Sequence, residues 1–425
     1  MKNNTTEAGI WQAPLFISRL TIQTYVAKTW VENSAGLSKG DFMALTTPHR
    51  GYTRKDTDTR KKWLAKHTGI EIDDTLRNEP EELKGIIENH VGFMNIPMAI
   101  ASPLIINGSY AKGEFCVPIC TLEGTLALSM CRGMLATAMS GGITTRHIKQ
   151  ELSRSPVFIF EELDESEVFH KWVDKRYQQI KQAAESTTNH GKLLRIDKYT
   201  SHNTLILDFV YNTAEASGQN MVTIATAEAC RYIHENYSSK NRYRYLIESN
   251  FNSDKNPAYK TFLLGRGHHV VASALISYRN LKRIFRSTTE NFLDGYRQLT
   301  VGSLLAGVVG LNLHVANALT AIYLATGQDT ACVSENSVGI MTCEIRNGDD
   351  LYISLSMPSI TVGTVGGGTR LLQQRKNLEM LKCTGKNSSK KLAEIVCASA
   401  LALELSLGGA ILSNEFAESH SNYGR

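Results

Sequence analysis

Between Gln298 and Gln328 the chain carries no Lys, Arg, Asp or Glu, and Asp329 closes the stretch. Ala, Leu, Val and Ile dominate it, with Gly302, Gly307 and Gly310 in its first half. A run of this length and apolarity either crosses a bilayer or fills the middle of a large core. Asn312, His314, Asn317 and Gln328 would be stranded in lipid, so the second reading is preferred: a central helix, apolar on all sides, in a soluble domain. Its glycines would let other backbone pack closely. A carboxylate just beyond such a segment is poorly hydrated unless a cation meets it, which makes Asp329 the first candidate site residue.

A chain of 425 residues can hold two or three domains and a large core. Its net charge is only +5 and its basic residues are spread out, which excludes a nucleic-acid stripe. Eight cysteines form no CxxC pair and read as buried or idle thiols of a reducing compartment. The first fifteen residues lack a basic-then-apolar signal pattern, so a soluble, cytoplasmic protein is expected.

Residues 1–87 read as a helical leader, with an amphipathic helix around Arg60–Lys66. Residues 88–155 are apolar and turn-rich. There Phe115–Ile119 reads as a strand, followed by Thr121-Leu122-Glu123-Gly124 and a helix from Thr125 to Met139. Glu123, where strand meets helix, is either a favourable charge at a helix start or a site carboxylate. Residues 156–247 alternate strands (157–160, 204–209) with helices (165–185, 222–237) and read as a compact inserted α+β unit. Within it, Ala214-Glu215-Ala216-Ser217-Gly218-Gln219-Asn220 is a turn opening onto a helix. The backbone N–H groups at such an end suit a phosphate or amide. Lys255 lies in a loop fixed by Pro257. The run Gly363–Thr369 is either a glycine-rich turn or a place where backbone approaches a ligand closely. A long helix, 391–407, precedes a polar tail holding His420.

In order and spacing these pieces resemble the catalytic portion of 3-hydroxy-3-methylglutaryl-CoA (HMG-CoA) reductases of the eukaryote-like class. The resemblance covers residues 88–425. It rests on Glu88-Asn89-x-x-Gly92, Glu123-Gly124, Asp254-Lys255-x-Pro257, Ala316-Asn317, Gly327-Gln328-Asp329, Met357-Pro358-Ser359-Ile360, Gly363–Thr369, Glu404-Leu405-Ser406-Leu407 and Ser419-His420. It implies a fold of α+β class: a large helix-centred domain (88–155 and 248–425) with an inserted small, ferredoxin-like nucleotide-binding domain (156–247) behind a helical N-terminal domain (1–87). The implied activity is reduction of an acyl-CoA thioester to an alcohol with two NADPH or NADH, in a homodimer or dimer of dimers without a membrane anchor. The implied alternatives are a reductase of another acyl thioester and a non-catalytic CoA-binding homologue.

The same resemblance implies Glu123, Lys255, Asp329 and His420 as catalytic residues. In this reading Lys255 stabilises an oxyanion, and Glu123, raised in pKa by burial, donates a proton. Asp329 links the two, and His420 protonates the departing thiolate. Glu215, Gly218, Gln219, Asn220, Thr188 and Asn189 would meet the cofactor. Arg154, Asn317, Asp254, Arg132, Arg286 and Ser406 would meet the acyl-CoA, and no metal is implied. The chain departs from the family at its ligand contacts. Glu215-Ala216-Ser217 stands for Asp-Ala-Met, and Asn189 for an arginine suited to a 2′-phosphate. Glu248 replaces a serine, Asn256 a lysine and Cys131 an asparagine. The acyl pocket is therefore expected to welcome a carboxylate less readily.

Overall fold

The computed structural model describes residues 46–48, 51, 53–73, 75–239 and 241–413. His420 and most of the predicted leader lie outside the described residues. The leader's described residues hold α1 (Arg54–Thr68), started by a capping box of Thr53 and Asp56 and stopped by Gly69, and a short 3-10 turn at Pro80–Leu83.

The first half of the fold is a hairpin and a helix. Strands β1 (Met98–Asn107) and β2 (Lys112–Cys120) pair antiparallel, and α2 (Leu126–Ala138) packs on β1. The next strand, β3 (Ile143–Arg154), is shared by two sheets. Its start runs parallel to β1, its middle pairs with β8 (Gly267–Ile276), and its last three residues pair with β6 (Thr204–Asn212). This continuity carries the chain from the larger core to a second one and leaves Arg154 at the junction.

The second core is built by β4 (Val157–Ile159), α3 (Leu163–Lys175), α4 (Tyr177–Glu185), β5 (Lys192–Ser201), β6, α5 (Gln219–Asn236) and β7 (Arg244–Leu246). The helix expected over 165–185 is two helices, because Arg176 leaves helical geometry between them. The strands lie in the order β7-β4-β6-β5, all antiparallel. With its βαββαβ connectivity this is the split arrangement of ferredoxin-like units.

The chain then returns through α6 (Tyr259–Leu264), β8, α7 (Tyr278–Phe285), α8 (Thr289–Ala306), α9 (Val315–Thr326) and α10 (Val333–Asn336). It ends with β9 (Ile340–Arg346), β10 (Asp350–Ile360), α11 (Leu372–Met380) and α12 (Ser388–Leu412). The apolar stretch 298–328 is not the central helix. It is divided between α8 and α9, with Gly307 in the left-handed conformation ending α8. Val301, Leu304 and Leu305 on α8 face solvent in the single chain, while α9 is buried over most of its length. The central element is α12, in which every residue from 392 to 410 is buried. It is long and apolar enough to cross a membrane, yet 89% of its most apolar window is buried inside the protein. Each large aliphatic side chain removed from water in this way contributes about 1.5–3 kcal/mol.

Two carboxylates interrupt that apolar helix, and both are satisfied by backbone. Glu394 accepts the N–H groups of Ser109, Tyr110 and Ala111 in the β1–β2 turn, at 3.0, 2.9 and 2.7 Å. Glu404 accepts those of Leu313 and His314, just before α9, at 2.7 and 2.5 Å. Burial pushes the Glu404 carboxyl up to about 7, against the lowering effect of the two N–H donors. A carboxyl whose pKa is raised by folding binds a proton in the folded chain before it does so unfolded. Its contribution to stability is therefore fully present below the ordinary carboxylate pKa and is lost as pH rises to about 7. Thermal midpoints measured from about pH 4.5 to about pH 8, a range that brackets this titration, should show the decline. Glu404→Gln should flatten it and lower the midpoint throughout, since one N–H loses its acceptor.

Candidate active site

Residues 247–258 link β7 to α6 and form an unusual loop. Asn250, Ser253 and Lys255 all adopt left-handed backbone, with φ of 62, 58 and 60°. Side-chain-bearing residues adopt this conformation at a cost and need surroundings that hold them in it. Those surroundings are a buried ion pair. Arg266, at the entry to β8, and Glu335, in α10, are 1% and 0% exposed, with Nε to Oε2 at 2.9 Å. The same Glu335 oxygen accepts the backbone N–H of Lys255 at 2.7 Å, and its other oxygen accepts Thr361 Oγ1 at 2.6 Å. Arg266 also reaches Asp254 Oδ1 at 3.0 Å, Ser153 O at 2.9 Å and Gln219 Oε1 at 2.7 Å. Ser334 donates to the Lys255 carbonyl. Glu335 and Ser334 thus fix the Lys255 backbone through its N–H and its carbonyl, while Arg266 holds Glu335 and the neighbouring Asp254 side chain.

From this anchored backbone the Lys255 side chain extends to Asp329, with Nζ to Oδ2 at 2.9 Å. Asp329 follows the C-terminus of α9 and accepts the Ala331 N–H at 3.0 Å. Lys255 is thus the cation that meets the carboxylate beyond the apolar segment. The Asp329 hydrogen bond holds the ammonium above the ordinary lysine range, against partial burial.

Glu123 sits at the other end of α9. It occupies the turn between β2 and α2, beside Thr125, a β-branched residue held at φ 72°. It receives a long 3.5 Å hydrogen bond from Asn317 Nδ2 in the first turn of α9. The burial expected of Glu123 is not found: in the single chain it is exposed, because the turn lies at the protein surface with Leu122 and Gly124. The twelve residues of α9 span about 18 Å, so the Glu123–Asn317 and Lys255–Asp329 pairs mark opposite ends of one helix.

The predicted nucleotide turn closes on the same centre. Gly218, at φ 88°, precedes the 18-residue α5. Gln219 touches Arg266 through its oxygen and Cys332 through its nitrogen, and Asn220 is exposed. Thr188 packs on Met221 in the first turn of α5, with Asn189 exposed beside it. Glu215 is engaged elsewhere. Its carboxylate accepts the N–H groups of Asn387 and Ser389 at 2.6 and 2.8 Å and so caps the start of α12. The glycine-rich run brings backbones together. A Cβ on Gly363 would lie 2.3 Å from the Ser217 nitrogen, and one on Gly327 would lie 2.4 Å from the Gly368 oxygen.

A third group lies where α2, α7 and α12 meet. Arg132 donates to the side chain and carbonyl of Ser406, at 2.9 and 2.7 Å, and its guanidinium stands 5.4 Å over the Phe285 ring. Arg286, next to Phe285, is exposed in left-handed conformation. Arg154, at the end of β3, pairs with Glu248 and, at 3.2 Å, with Asp254. No cluster of metal-ligating side chains occurs among the described residues.

Sequence reasoning passes over Glu335 as a site residue and treats Arg266 only as the start of a strand. An arginine between two glycines at the mouth of an apolar strand is a signal to look for its carboxylate. Removing one partner of such a buried pair leaves the other charge uncompensated. Arg266→Met should therefore destabilise the fold by about 3–5 kcal/mol in urea titrations, and a loss below about 1 kcal/mol would refute this role.

The sequence profile of the hydroxymethylglutaryl-coenzyme A reductase family matches residues 56–425. The 3-hydroxy-3-methylglutaryl-coenzyme A reductase of Pyrococcus horikoshii is 40% identical over 386 residues, spanning 88% of this chain and 93% of that protein. The enzyme of the same name from Methanocaldococcus jannaschii is 38% identical over 376 residues, spanning 87% and 93%. Among solved structures, a class II 3-hydroxy-3-methylglutaryl-CoA reductase from Streptococcus pneumoniae bound to NADPH superposes with a TM-score of 0.64. It is 18% identical, with 78% of this chain and 89% of that one covered, a likeness of fold.

Proposed function

The chain belongs to the hydroxymethylglutaryl-coenzyme A reductase family, and from that premise we propose that it reduces HMG-CoA to mevalonate and CoA with two NADPH or NADH. The observation that carries this reading is the Lys255–Asp329 pair, held on a strained loop by Arg266 and Glu335 and adjoining the N-terminus of α5.

The residues fit a nicotinamide dinucleotide. The start of α5 offers first-turn N–H groups, and Gly218, at φ 88° and with no room for a Cβ beside Thr213, lets the chain turn into the helix there. Exposed Asn220 and the 188–189 turn flank it. The bound cofactor supplies hydride to a carbonyl carbon. Asn189 brings no charge to a ribose 2′-phosphate, so NADH and NADPH are both candidates. Residues 156–247 would form the unit that carries this site.

Lys255 directs a fixed ammonium at the oxygen on which negative charge develops, in the thioester step and again in the aldehyde step. Asp329 keeps that ammonium protonated and aimed. Collapse of the first adduct breaks the C–S bond and expels CoA thiolate, which His420 protonates. Glu123, oriented by Asn317, donates the proton that turns the final alkoxide into an alcohol. Arg132, Ser406 and Arg286 form the polar end that receives CoA.

Glu123 and Lys255 lie at opposite ends of α9, so a partner subunit is the means of joining them. Leu122 beside Glu123, Tyr259 and Leu263 beyond the Lys255 loop, and Leu304 and Leu305 on α8 are all exposed in the single chain. Apolar surface of this kind is what a homodimer covers. We read the protein as a soluble, cytoplasmic homodimer with Glu123 of one subunit facing Lys255 of its partner.

Nicotinamide absorbance should fall steadily with HMG-CoA and one of the two cofactors. Lys255→Ala should remove at least about 99% of turnover of thioester and mevaldehyde alike, the scale of losing one preorganised oxyanion donor. Glu123→Gln and Lys255→Ala, each inactive alone, should regain activity when mixed as heterodimers. No regain in confirmed heterodimers would exclude the shared site.

A further inference from the structure

We propose that Glu248 is an internal counter-ion that occupies the anion position on Arg154 and sets how strongly a carboxylate-bearing acyl group binds. This rests on the reading of the protein as an acyl-CoA reductase.

Arg154 is a buried cation, its side chain only 9% exposed, and its Nε has no hydrogen-bond partner among the described residues. It touches Asp254, the neighbour of Lys255, so it borders the reacting centre. Four cations adjoin this loop, and each already faces an acid of its own chain: Lys260, 4.7 Å over the Phe251 ring, faces Asp208 at 2.7 Å and leaves the balance among the other three unchanged. Lys255 faces Asp329, Arg266 faces Glu335 and Asp254, and Arg154 faces Asp254 and Glu248. With Glu248, Asp254, Asp329 and Glu335 against Arg154, Lys255 and Arg266, negative charge exceeds positive by one. By this balance a further carboxylate enters on favourable terms where it replaces one of these acids.

Glu248 is the replaceable one. Glu335 is fully buried, Asp254 is tied to Arg266, and Asp329 holds Lys255. Glu248 is 34% exposed, and its remaining hydrogen bonds come from the Asn250 N–H at 2.7 Å and Asn252 Nδ2 at 2.7 Å. Its backbone is pinned by the next residue: Ser249 donates to the Ser155 carbonyl through N–H and Oγ, at 3.1 and 2.6 Å. Releasing Arg154 therefore needs rotation of the Glu248 side chain into water, with the loop backbone in place, at the cost of the Asn250 N–H and Asn252 Nδ2 hydrogen bonds. The incoming carboxylate then takes over a charge-assisted contact that already exists, so the exchange gains little and affinity stays low. A neutral residue at 248 leaves Arg154 facing only Asp254, and the carboxylate gains the whole contact.

The test uses the full-length protein with Glu248→Gln and Glu248→Ser. The KM for HMG-CoA should fall about tenfold in both, the factor given by a difference of about 1.4 kcal/mol. The dissociation constant of free 3-hydroxy-3-methylglutarate, measured by calorimetry without turnover, should fall in step. The dissociation constant of free CoA should not move. Unchanged or weaker binding of the dicarboxylate in both variants would overturn the proposal, as would a parallel shift in CoA binding. Calorimetry judges Glu248 separately from the reductase reading, which fails instead if the native protein shows no HMG-CoA-dependent oxidation of either cofactor.

Discussion

The Arg266–Glu335 pair is the constraint on which the site's precision rests. A guanidinium and a carboxylate taken fully out of water are stable only when nearly every donor and acceptor around them is satisfied. Here that requirement is met by groups around the candidate lysine: the Lys255 backbone, Asp254, Ser153, Gln219 and Thr361. The left-handed loop persists because its alternative conformations would strand these charges. Lys255 is thereby exposed at its tip and rigid at its root, which suits a cation that must be accessible and aimed.

The helix α12 plays the corresponding part for the larger core. Apolar burial alone would let neighbouring segments slide along it. Glu394 and Glu404 remove that freedom, since each accepts particular N–H groups and so fixes the β1–β2 turn and the start of α9 in register. Glu215 fixes a third segment, the turn before α5, at the helix's first residues. These carboxylates, two along the helix and one at its start, locate separate loops against one rod.

The strands and most helices are legible in the sequence because their signals are local: alternation, capping and glycine stops. The α+β class follows from their order. The central helix is misplaced by sequence reasoning because 298–328 and 388–412 are similarly apolar, and composition does not say which is covered by neighbours. Gly307, expected as a packing glycine, is a helix terminator. Asp329's need for a cation is readable from its position beyond apolar sequence, whereas the exposure of Glu123 depends on what covers a turn from outside. Arg266 and Glu335 stand 69 residues apart, and nothing local in either reveals the other.

Gln219 has a consequence reaching past its own contacts. It belongs to the first turn of α5, yet its oxygen is one of the groups satisfying Arg266. Whatever binds at that turn and shifts Gln219 alters the guanidinium that holds the lysine loop. Free energies of binding obey reciprocity, so an acyl ligand that stiffens the loop must change affinity at the turn by the same factor. Two ligands held there would be coupled through one side-chain amide, to the same extent whichever arrives first.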